Sequence, residues 1–396
     1  MTWQRGLVSI SRAVEELNLG LIERKREVYL SMVALVARQH LFLLGPPGTG
    51  KSFVARKVGQ STGGPFYEIL LTKFTTPDEV FGPISVKGLI ERETYERKVD
   101  GYLPTARVAF TDEIWKASSA ILNNLLTIIN ERVFDNGGRR IAVPLDTVIA
   151  ASNELPEDDT LSALYDRFLL RHEVAPVSNP IQLLSPLPEI DPKIDPSHLA
   201  DVQEAARHVT LPSNVQGAMV ALKGVLAKKG IEIGDRRFQQ SARLVQATAL
   251  LDGGKMVAGP EHLRILTACY WETPDQIPAV ETEVMRAIGP GIPLSSTHRA
   301  APAPTRAPAG PSSLAQAIAG EPMATTVNLA MRGMNQGALD LLRDHALHLR
   351  IDRMLTQPQV TESATPIKNI IDQAQNWKTS IQGHIANTPG ASWGPP

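Results

Sequence analysis

The stretch from Gly45 to Ser52, GPPGTGKS, constrains this chain more than any other feature. It matches the pattern G-x-x-x-x-G-K-[ST], follows the apolar run Leu41–Leu44 and precedes a segment with helical character. That order of strand, glycine-rich loop and helix is the setting in which a P-loop binds phosphate. Its three glycines let backbone N–H groups point toward an anion, and the following helix N-terminus adds a favourable partial charge. The sequence therefore predicts a nucleotide site on this loop.

The side chains of the loop have different expected roles. Lys51 can reach the β- and γ-phosphates, and the Ser52 hydroxyl can bind Mg²⁺. We therefore predict ATP and Mg²⁺ as ligands, with contacts from Gly45, Pro46, Pro47, Gly48, Thr49, Gly50, Lys51, Ser52 and Phe53. The alternative is a glycine-rich turn that binds nothing, and the flanking strand and helix argue against it.

Length and composition limit the class of protein. The 396 residues are enough for two or three domains, and their formal net charge of −1 gives no electrostatic footprint for DNA or a membrane surface. Cys269 is the only cysteine in the sequence, which fits a reducing compartment. No apolar run approaches the roughly twenty residues that span a bilayer, and the N-terminus lacks the apolar core of a signal peptide. We expect a soluble cytoplasmic protein.

A second apolar run, Val108–Phe110, follows Arg107 and leads through Thr111 into Asp112 and Glu113. A strand that ends in Asp-Glu downstream of a P-loop is a Walker B pattern. Asp112 would hold Mg²⁺ through water, and Glu113 would polarise the attacking water. A pair of surface charges is the alternative, and the preceding strand disfavours it.

Two later residues complete the set predicted from local context. Asn153 follows the apolar strand 147–151, and a polar side chain at the end of a parallel strand lies where ligands bind in such sheets. It could orient water or sense the γ-phosphate, or it could be only a turn residue. Arg167 precedes a predicted edge strand and is a candidate arginine finger for a neighbouring subunit. A salt bridge to Asp166 or Glu173 is the alternative.

Composition shifts divide the chain into domains. The predicted fold class is α/β, with a five-stranded parallel sheet between helices, then an all-α domain and a helical C-terminal region. The predicted boundaries are a core over 1–178, a proline-rich linker over 179–196, a helical lid over 197–280, a second linker over 281–312, and a helical region with a disordered tail over 313–396. In the lid, Asp235 suits the N-cap of a helix.

Two segments between the core strands have distinct local patterns. Residues 131–143 place short β-prone runs around Asp-Asn-Gly-Gly, which predicts a β-hairpin. The charged run 91–98 is mixed in sign and favours a solvated helix or hairpin face.

Together these motifs resemble the MoxR family of AAA+ ATPases. The resemblance rests on GPPGTGKS, AFTDEIWKA, ILNNLLTIINER, the predicted hairpin, ASNELPE and LYDRF, in this order. It is closest to the RavA subfamily through FTTPDEVFGP, GYLP, DEIWKA, LYDRF and DRR. It covers residues 10 to about 275, and the remainder of the chain matches it poorly.

The resemblance implies a hexameric ring with ATP bound between subunits. It gives the Walker positions to Lys51, Ser52, Asp112 and Glu113, and the sensor 1 position to Asn153. The family also has an insertion after the second strand, here about 84–104, and a hairpin before sensor 1, here about 131–144. Both tend to face the ring pore or the partner.

Two arginine roles also follow from the resemblance. Arg167 matches the arginine finger of the D-R-F stretch, with Arg171 as the alternative. Arg236 aligns with the sensor 2 arginine of the lid, which contacts the nucleotide, and the adjacent Arg237 is the alternative.

The predicted function is Mg²⁺-dependent ATP hydrolysis by a ring that remodels or activates a protein partner. Relatives often work with a von Willebrand factor A (vWA) protein, so the resemblance implies a partner of that type. One alternative is a nucleotide-gated assembly or scaffold protein with slow turnover. A nucleic-acid motor is a third class, and the neutral net charge weighs against it.

Overall fold

The structure is a computed structural model that describes residues 2–156 and 159–289. The predicted C-terminal region 313–396, and most of the linker 281–312, lie outside the described residues. The chain begins with two helices, α1 (Thr2–Leu19) and α2 (Lys25–Ala37). Most of α2 is buried on all sides, because it packs between the core and the lid.

The strands, in chain order, are β1 (Leu41–Leu44), β2 (Phe66–Leu70), β3 (Val108–Asp112), β4 (Val133–Asn136), β5 (Arg139–Ala142), β6 (Thr147–Ser152) and β7 (Leu170–Glu173). Five of them form one sheet in the order β2-β3-β6-β1-β7, and every pair is parallel. All residues of β1 and β6 are buried, as expected when helices cover both faces of a parallel sheet. The predicted five-stranded parallel sheet and the edge position of β7 are confirmed.

The described part of the core has five further helices between its strands: α3 (Lys51–Ser61), α4 (Pro77–Phe81), α5 (Val86–Arg92), α6 (Ser119–Glu131) and α7 (Asp159–Tyr165). The side chains of β1 alternate between two apolar cores. Leu41 and Leu43 join the core shared with α2 and the lid, whereas Phe42 and Leu44 join the core shared with α6. One short strand therefore carries packing on both sides of the sheet, and its C-terminal end is held firmly in place.

The hairpin of β4 and β5 is confirmed, and it is fixed to the insertion that precedes β3. The two strands pair antiparallel, and the glycines between them have positive φ. The Arg97 backbone N donates to Asn136 Oδ1 at 2.6 Å, and Asn136 Nδ2 donates to the Arg97 carbonyl at 3.1 Å. The Arg97 side chain turns inward to Asp78, so the run 91–98 is only partly the solvated face that was predicted.

The lid is formed by α8 (Pro196–Arg207), α9 (Ser213–Ala227), α10 (Asp235–Leu251), the 3₁₀ helix Pro260–Ala268 and α11 (Ile277–Ile288). The N-cap prediction for Asp235 is wrong. Gly234 occupies the cap position, and the Asp235 carboxylate instead accepts from Lys223 Nζ at 2.6 Å. Helix α11 continues past residue 280, at which the predicted lid ends.

The proline-rich stretch before α8 packs on the core. Ile194 is buried, and Ile190 lies directly over Gly20 at the end of α1. Helices α1 and α8 approach so closely that a Cβ at Gly6 would stand 2.6 Å from the His198 carbonyl oxygen. These contacts dock the lid beside α1 and α2. Among the described residues, no helix is long and apolar enough to cross a membrane.

Candidate nucleotide site and arginine pocket

The P-loop lies at the carboxyl end of β1, and its lysine is held by the loop itself. Lys51 begins α3, and its Nζ donates to the carbonyls of Gly45 at 2.7 Å and Pro46 at 3.0 Å. Burial lowers the pKa of Lys51. Phosphate oxygens would replace these two carbonyls as acceptors and would also compensate the desolvated charge.

Arg24, a buried arginine outside the predicted site residues, holds the backbone of the loop by a hydrogen bond. Arg24 donates from Nε to the Thr49 carbonyl and from Nη2 to the Ala175 carbonyl, both at 3.0 Å. Its charge lies 3.8 Å from the Glu27 carboxylate. The segment ahead of α2 therefore fixes the backbone of the loop, and no local pattern around Arg24 indicates this long-range contact.

The two predicted metal ligands are in direct contact. Ser52 Oγ donates to Asp112 Oδ2 at 2.9 Å, although the residues come from α3 and from the end of β3. A hydroxyl and a carboxylate converging beside a phosphate loop form an oxygen donor set that fits Mg²⁺. This pair would hold the metal together with phosphate oxygens of the substrate.

Glu113 follows Asp112 in a strained backbone conformation. Its φ is 54°, in the left-handed region that few non-glycine residues adopt. Lys116 Nζ lies 3.1 Å from Glu113 Oε2. The carboxylate is thus presented at the edge of the sheet, with a cation beside it.

Asn153 lies at the same edge. It is exposed and follows β6, whose last residue, Ser152, is in register with Leu44 and accepts a bond from Gly45 N at 3.1 Å. The structure therefore brings together five predicted site residues at the carboxyl edge of the sheet: Lys51, Ser52, Asp112, Glu113 and Asn153. Phe53, in the first turn of α3, is 44% exposed beside them.

Arg167 lies at the amino-terminal edge of the sheet, where the parallel strands begin, and the P-loop lies where they end. Arg167 precedes β7, which runs parallel to β1 with Leu170 opposite Leu41. The P-loop follows the carboxyl end of β1, and Arg167 is beyond its amino end. The four residues of β1 span roughly 13 Å at about 3.3 Å per residue. Arg167 is therefore remote from the phosphate loop of its own chain.

A pocket of about 230 Å³ opens at this amino-terminal edge, and we call it the arginine pocket. Among the described residues, its lining includes no carboxylate and six arginines: Arg38, Arg132, Arg167, Arg207, Arg236 and Arg243. They come from the segment before β1, the end of α6, the segment before β7, and helices α8 and α10. Because these positions are scattered along the sequence, no local motif indicates the pocket.

The structure places Arg236 in the arginine pocket and not beside the Walker residues of its own chain. Its Nη2 donates to Asn130 Oδ1 at 2.8 Å. Burial and the neighbouring charge of Arg167 lower the pKa of Arg236. The predicted finger and the predicted sensor 2 residue thus lie together, away from the P-loop.

Arg171, the alternative finger, is sealed inside the protein. It is 2% exposed, its Nη1 donates to the Trp271 carbonyl at 2.5 Å, and its guanidinium lies 3.7 Å from the centroid of the Tyr165 ring. Burial and the charge of Arg237 lower its pKa to about 10. It holds the core and lid together, and almost none of its side chain is exposed.

Arg237, the alternative sensor 2 residue, is also internal. It is 5% exposed and donates to the carbonyls of Leu169 at 3.1 Å and Cys269 at 2.8 Å. Its Nη2 lies 3.3 Å from the Asp166 carboxylate. Of the two adjacent arginines, only Arg236 faces the pocket.

An aromatic cluster links the two edges of the sheet. Trp115, two residues after Glu113, packs edge-on against Tyr165 with centroids 5.8 Å apart, and both contact Phe42 of β1. Tyr165 in turn lies two residues before Arg167. The Walker B segment and the Arg167 segment therefore share one packed core.

Comparison with known families agrees with this architecture. Residues 8–187 match the family model described as the MoxR domain in the MoxR-vWA-beta-propeller ternary systems. Residues 214–284 match an AAA lid domain. The two matches fall on the α/β core and on the helical lid, respectively.

Individual relatives support the same assignment. An uncharacterized protein of Methanocaldococcus jannaschii, MJ0812, is 40% identical over 278 residues, which are 69% of this chain and 74% of that protein. Chaperone MoxR1 of Mycobacterium tuberculosis is 26% identical over 171 residues, 42% of this chain and 44% of the relative. The crystal structure of a candidate ATPase from Cytophaga hutchinsonii shares the fold, with a TM-score of 0.55 and 14% identity over 84% of this chain and 96% of that one. The chain belongs to the MoxR family of AAA+ ATPases.

Proposed function

We propose that this protein hydrolyses ATP with Mg²⁺ at a site divided between two neighbouring copies of the chain. The observation that carries the proposal is the separation of Lys51 and Arg167 at opposite edges of one parallel sheet. An arginine at the amino edge can complete a phosphate site at the carboxyl edge only if it belongs to another copy. A head-to-tail contact of this kind is heterologous, and its repetition gives a ring when the rotation between neighbours closes. The hexameric size is carried over from the resemblance.

In this proposal, residues at the carboxyl edge of the sheet bind ATP and Mg²⁺ and activate the attacking water. Lys51 contacts the β- and γ-phosphates, and Ser52 and Asp112 hold the metal. Mg²⁺, when bound, neutralises charge on the phosphate oxygens. Glu113 accepts a hydrogen bond from the attacking water and polarises it, while Asn153 orients that water.

The neighbour's amino edge supplies positive charge. Arg167 and Arg236 share the arginine pocket, so a single approach of the neighbouring subunit would bring both to the γ-phosphate. Phosphoryl transfer requires positioning and charge stabilisation more than covalent chemistry, which suits two preorganised guanidinium groups. Sensor 2 then acts between subunits.

We further propose that the ATP cycle remodels a protein partner of the vWA type. The support is the description of the matching family model, which places MoxR domains in systems with vWA and β-propeller proteins. The insertion and the hairpin form one body through Arg97 and Asn136, and that body exposes the apolar side chains of Val86, Ile90 and Tyr95. This surface is our candidate for the partner contact.

One observation favours the alternative of a slow, nucleotide-gated scaffold. Lys116 pairs with Glu113, the proposed base, and the ammonium competes with water for Oε2 of the carboxylate. ATP binding would then control assembly, with hydrolysis acting as a timer.

Subunit mixing tests the divided site. Arg167→Ala and Lys51→Ala should each be inactive, and an equimolar mixture should regain part of the turnover. The recovery arises where an Arg167→Ala subunit, with its intact P-loop, lies next to a Lys51→Ala subunit that supplies Arg167. Two inactive variants that stay inactive when mixed, although they co-assemble by native mass spectrometry, would refute the arrangement. A pull-down with Glu113→Gln, which should retain ATP, would identify the partner.

A further inference from the structure

The arginine pocket contains a cation that the proposed mechanism does not use. Arg243 is exposed, and within the described part of the chain it has no hydrogen-bond or ion-pair partner. Three other arginines of the pocket, Arg38, Arg167 and Arg207, are paired with carboxylates, whereas Arg132 donates to backbone carbonyls. Arg207 lies 3.3 Å from Glu204, and Arg38 lies 3.3 Å from Asp146.

Helical spacing brings Arg243 to the same face of α10 as Arg236. Arg236, Gln240 and Arg243 follow one another at intervals of four and three residues, and all three line the pocket. The partner of Arg236 is the neutral amide of Asn130. Among the described residues, neither guanidinium group on this face of α10 has a carboxylate within ion-pair distance, and both line the same pocket.

The charge and size of the cavity indicate its ligand. Burial, and then the charge of Arg38, lower the pKa of Arg132 to about 10, and the lining in the described part of the chain includes no carboxylate. A water occupies about 30 Å³, so the cavity holds roughly eight waters or a short chain of phosphoryl groups. Guanidinium groups bind phosphoryl oxygens bidentately, which suits an anion of this kind.

We propose that Arg243 and Arg236 form a site for phosphoryl oxyanions, and that Arg243 is a further residue contacting the phosphates of the neighbour's ATP. The identity of the ATP as the source rests on the proposed function. Free inorganic polyphosphate offers the same chemistry, and the two sources are separated by experiment.

The first measurement uses a chain whose own P-loop is disabled. Lys51→Ala is titrated calorimetrically with inorganic tripolyphosphate at low salt, alone and combined with Arg243→Gln. We expect binding at least tenfold weaker in the double variant. Arg12→Ala, which removes an exposed arginine of α1 outside the pocket, is the matched charge control and should leave binding unchanged.

The second measurement is steady-state ATP turnover of Arg243→Gln in an otherwise unaltered chain. A tenfold fall in kcat together with weaker tripolyphosphate binding identifies the neighbour's ATP as the ligand. Weaker binding with normal turnover supports the oxyanion site and assigns it to free phosphate. Unchanged tripolyphosphate binding overturns the proposal whatever the turnover, because Arg243 would then not contact phosphate. Normal turnover in Arg167→Ala would refute the divided site and leave the tripolyphosphate titration interpretable.

Discussion

Lys116 Nζ lies 3.1 Å from Glu113 Oε2, so the carboxylate proposed to polarise water is paired with a cation three residues along the chain. The pair bridges the turn that follows β3, where Glu113 has a positive φ. In this arrangement Lys116 contacts one of the two oxygens of the carboxylate. In the mechanism that we propose, this oxygen polarises water only when Lys116 moves away from it.

Glu113→Gln should abolish turnover and preserve ATP binding. The amide keeps the shape of the side chain and cannot act as a base, and general-base catalysis contributes roughly 10²–10⁴-fold. Turnover and nucleotide affinity would be measured on the same preparation. Turnover within a factor of two of the unaltered protein would remove Glu113 from the mechanism.

Lys116→Met should increase basal turnover several-fold, since it releases the Glu113 carboxylate while retaining the length of the side chain. The comparison is with Lys116→Arg, which keeps the cation and should behave like the parent. A loss of activity in Lys116→Met would mean that the ion pair positions the carboxylate for reaction.

Substitutions at Arg167 and Arg171 should have different effects, the first on ATP turnover and the second on the stability of the fold. Arg167→Ala should lower kcat by about 10³-fold or more, as for other arginine fingers, with little change in unfolding free energy. Arg171→Leu should cost roughly 3–5 kcal/mol of stability, because it leaves buried carbonyls without their donor. Urea unfolding and ATP turnover of both variants test the assignment. It fails if Arg167→Ala is the unstable variant.

Substitutions at the adjacent residues Arg236 and Arg237 should differ in the same way, the first affecting turnover and the second the structure. Arg236→Ala removes one bond to Asn130 and should change stability by about 0.5 kcal/mol or less, while lowering turnover. Arg237→Ala removes bonds to the carbonyls of Leu169 and Cys269 and should loosen the lid from the core, which proteolysis would detect. An inactive but fully stable Arg237→Ala would reverse the two roles.

His40 should make the fold sensitive to acid. Burial, and then the charge of Arg132, hold the pKa of His40 well below 6.5, so the folded protein keeps it neutral while the unfolded chain binds a proton. The contribution of neutral His40 to the free energy of unfolding is complete above about pH 6.5. Below that pH the contribution falls by about 1.4 kcal/mol per pH unit. His40→Gln can still accept from Val148 N. Its unfolding free energy should fall less steeply between pH 6.5 and 5.5, and an equal slope would contradict this account.

The sheet, and the position of the predicted Walker residues at one end of it, could be predicted because their signals are local. A buried strand, a glycine loop and a helix start are adjacent in sequence, and so are β3 and Asp112. The parallel register then brings Asn153 to the same edge as Gly45. The N-cap at Asp235 was mispredicted because Lys223, twelve residues earlier, competes for its carboxylate.

The arginine pocket could not be predicted because its charges are distant in sequence and the net charge of the chain is near zero. Periodicity places Arg236 and Arg243 on one face of a helix, but it does not reveal what that face meets. The choice between Arg236 and Arg237 depends on which of them the lid buries. Arg237 is buried because it donates to the carbonyls of Leu169 and Cys269, and no local pattern indicates these long-range hydrogen bonds.

The parallel direction of the strands in the central sheet determines how many nucleotide sites are complete in an assembly of a given size. If Arg167 completes the site of a neighbouring copy, as we propose, an open chain of subunits always ends in one nucleotide site that lacks this arginine. A pair would have a single completed site, and only closure completes them all. Activity per subunit should therefore rise with protein concentration until the ring closes and then become constant, so dilution alone would switch such an enzyme off.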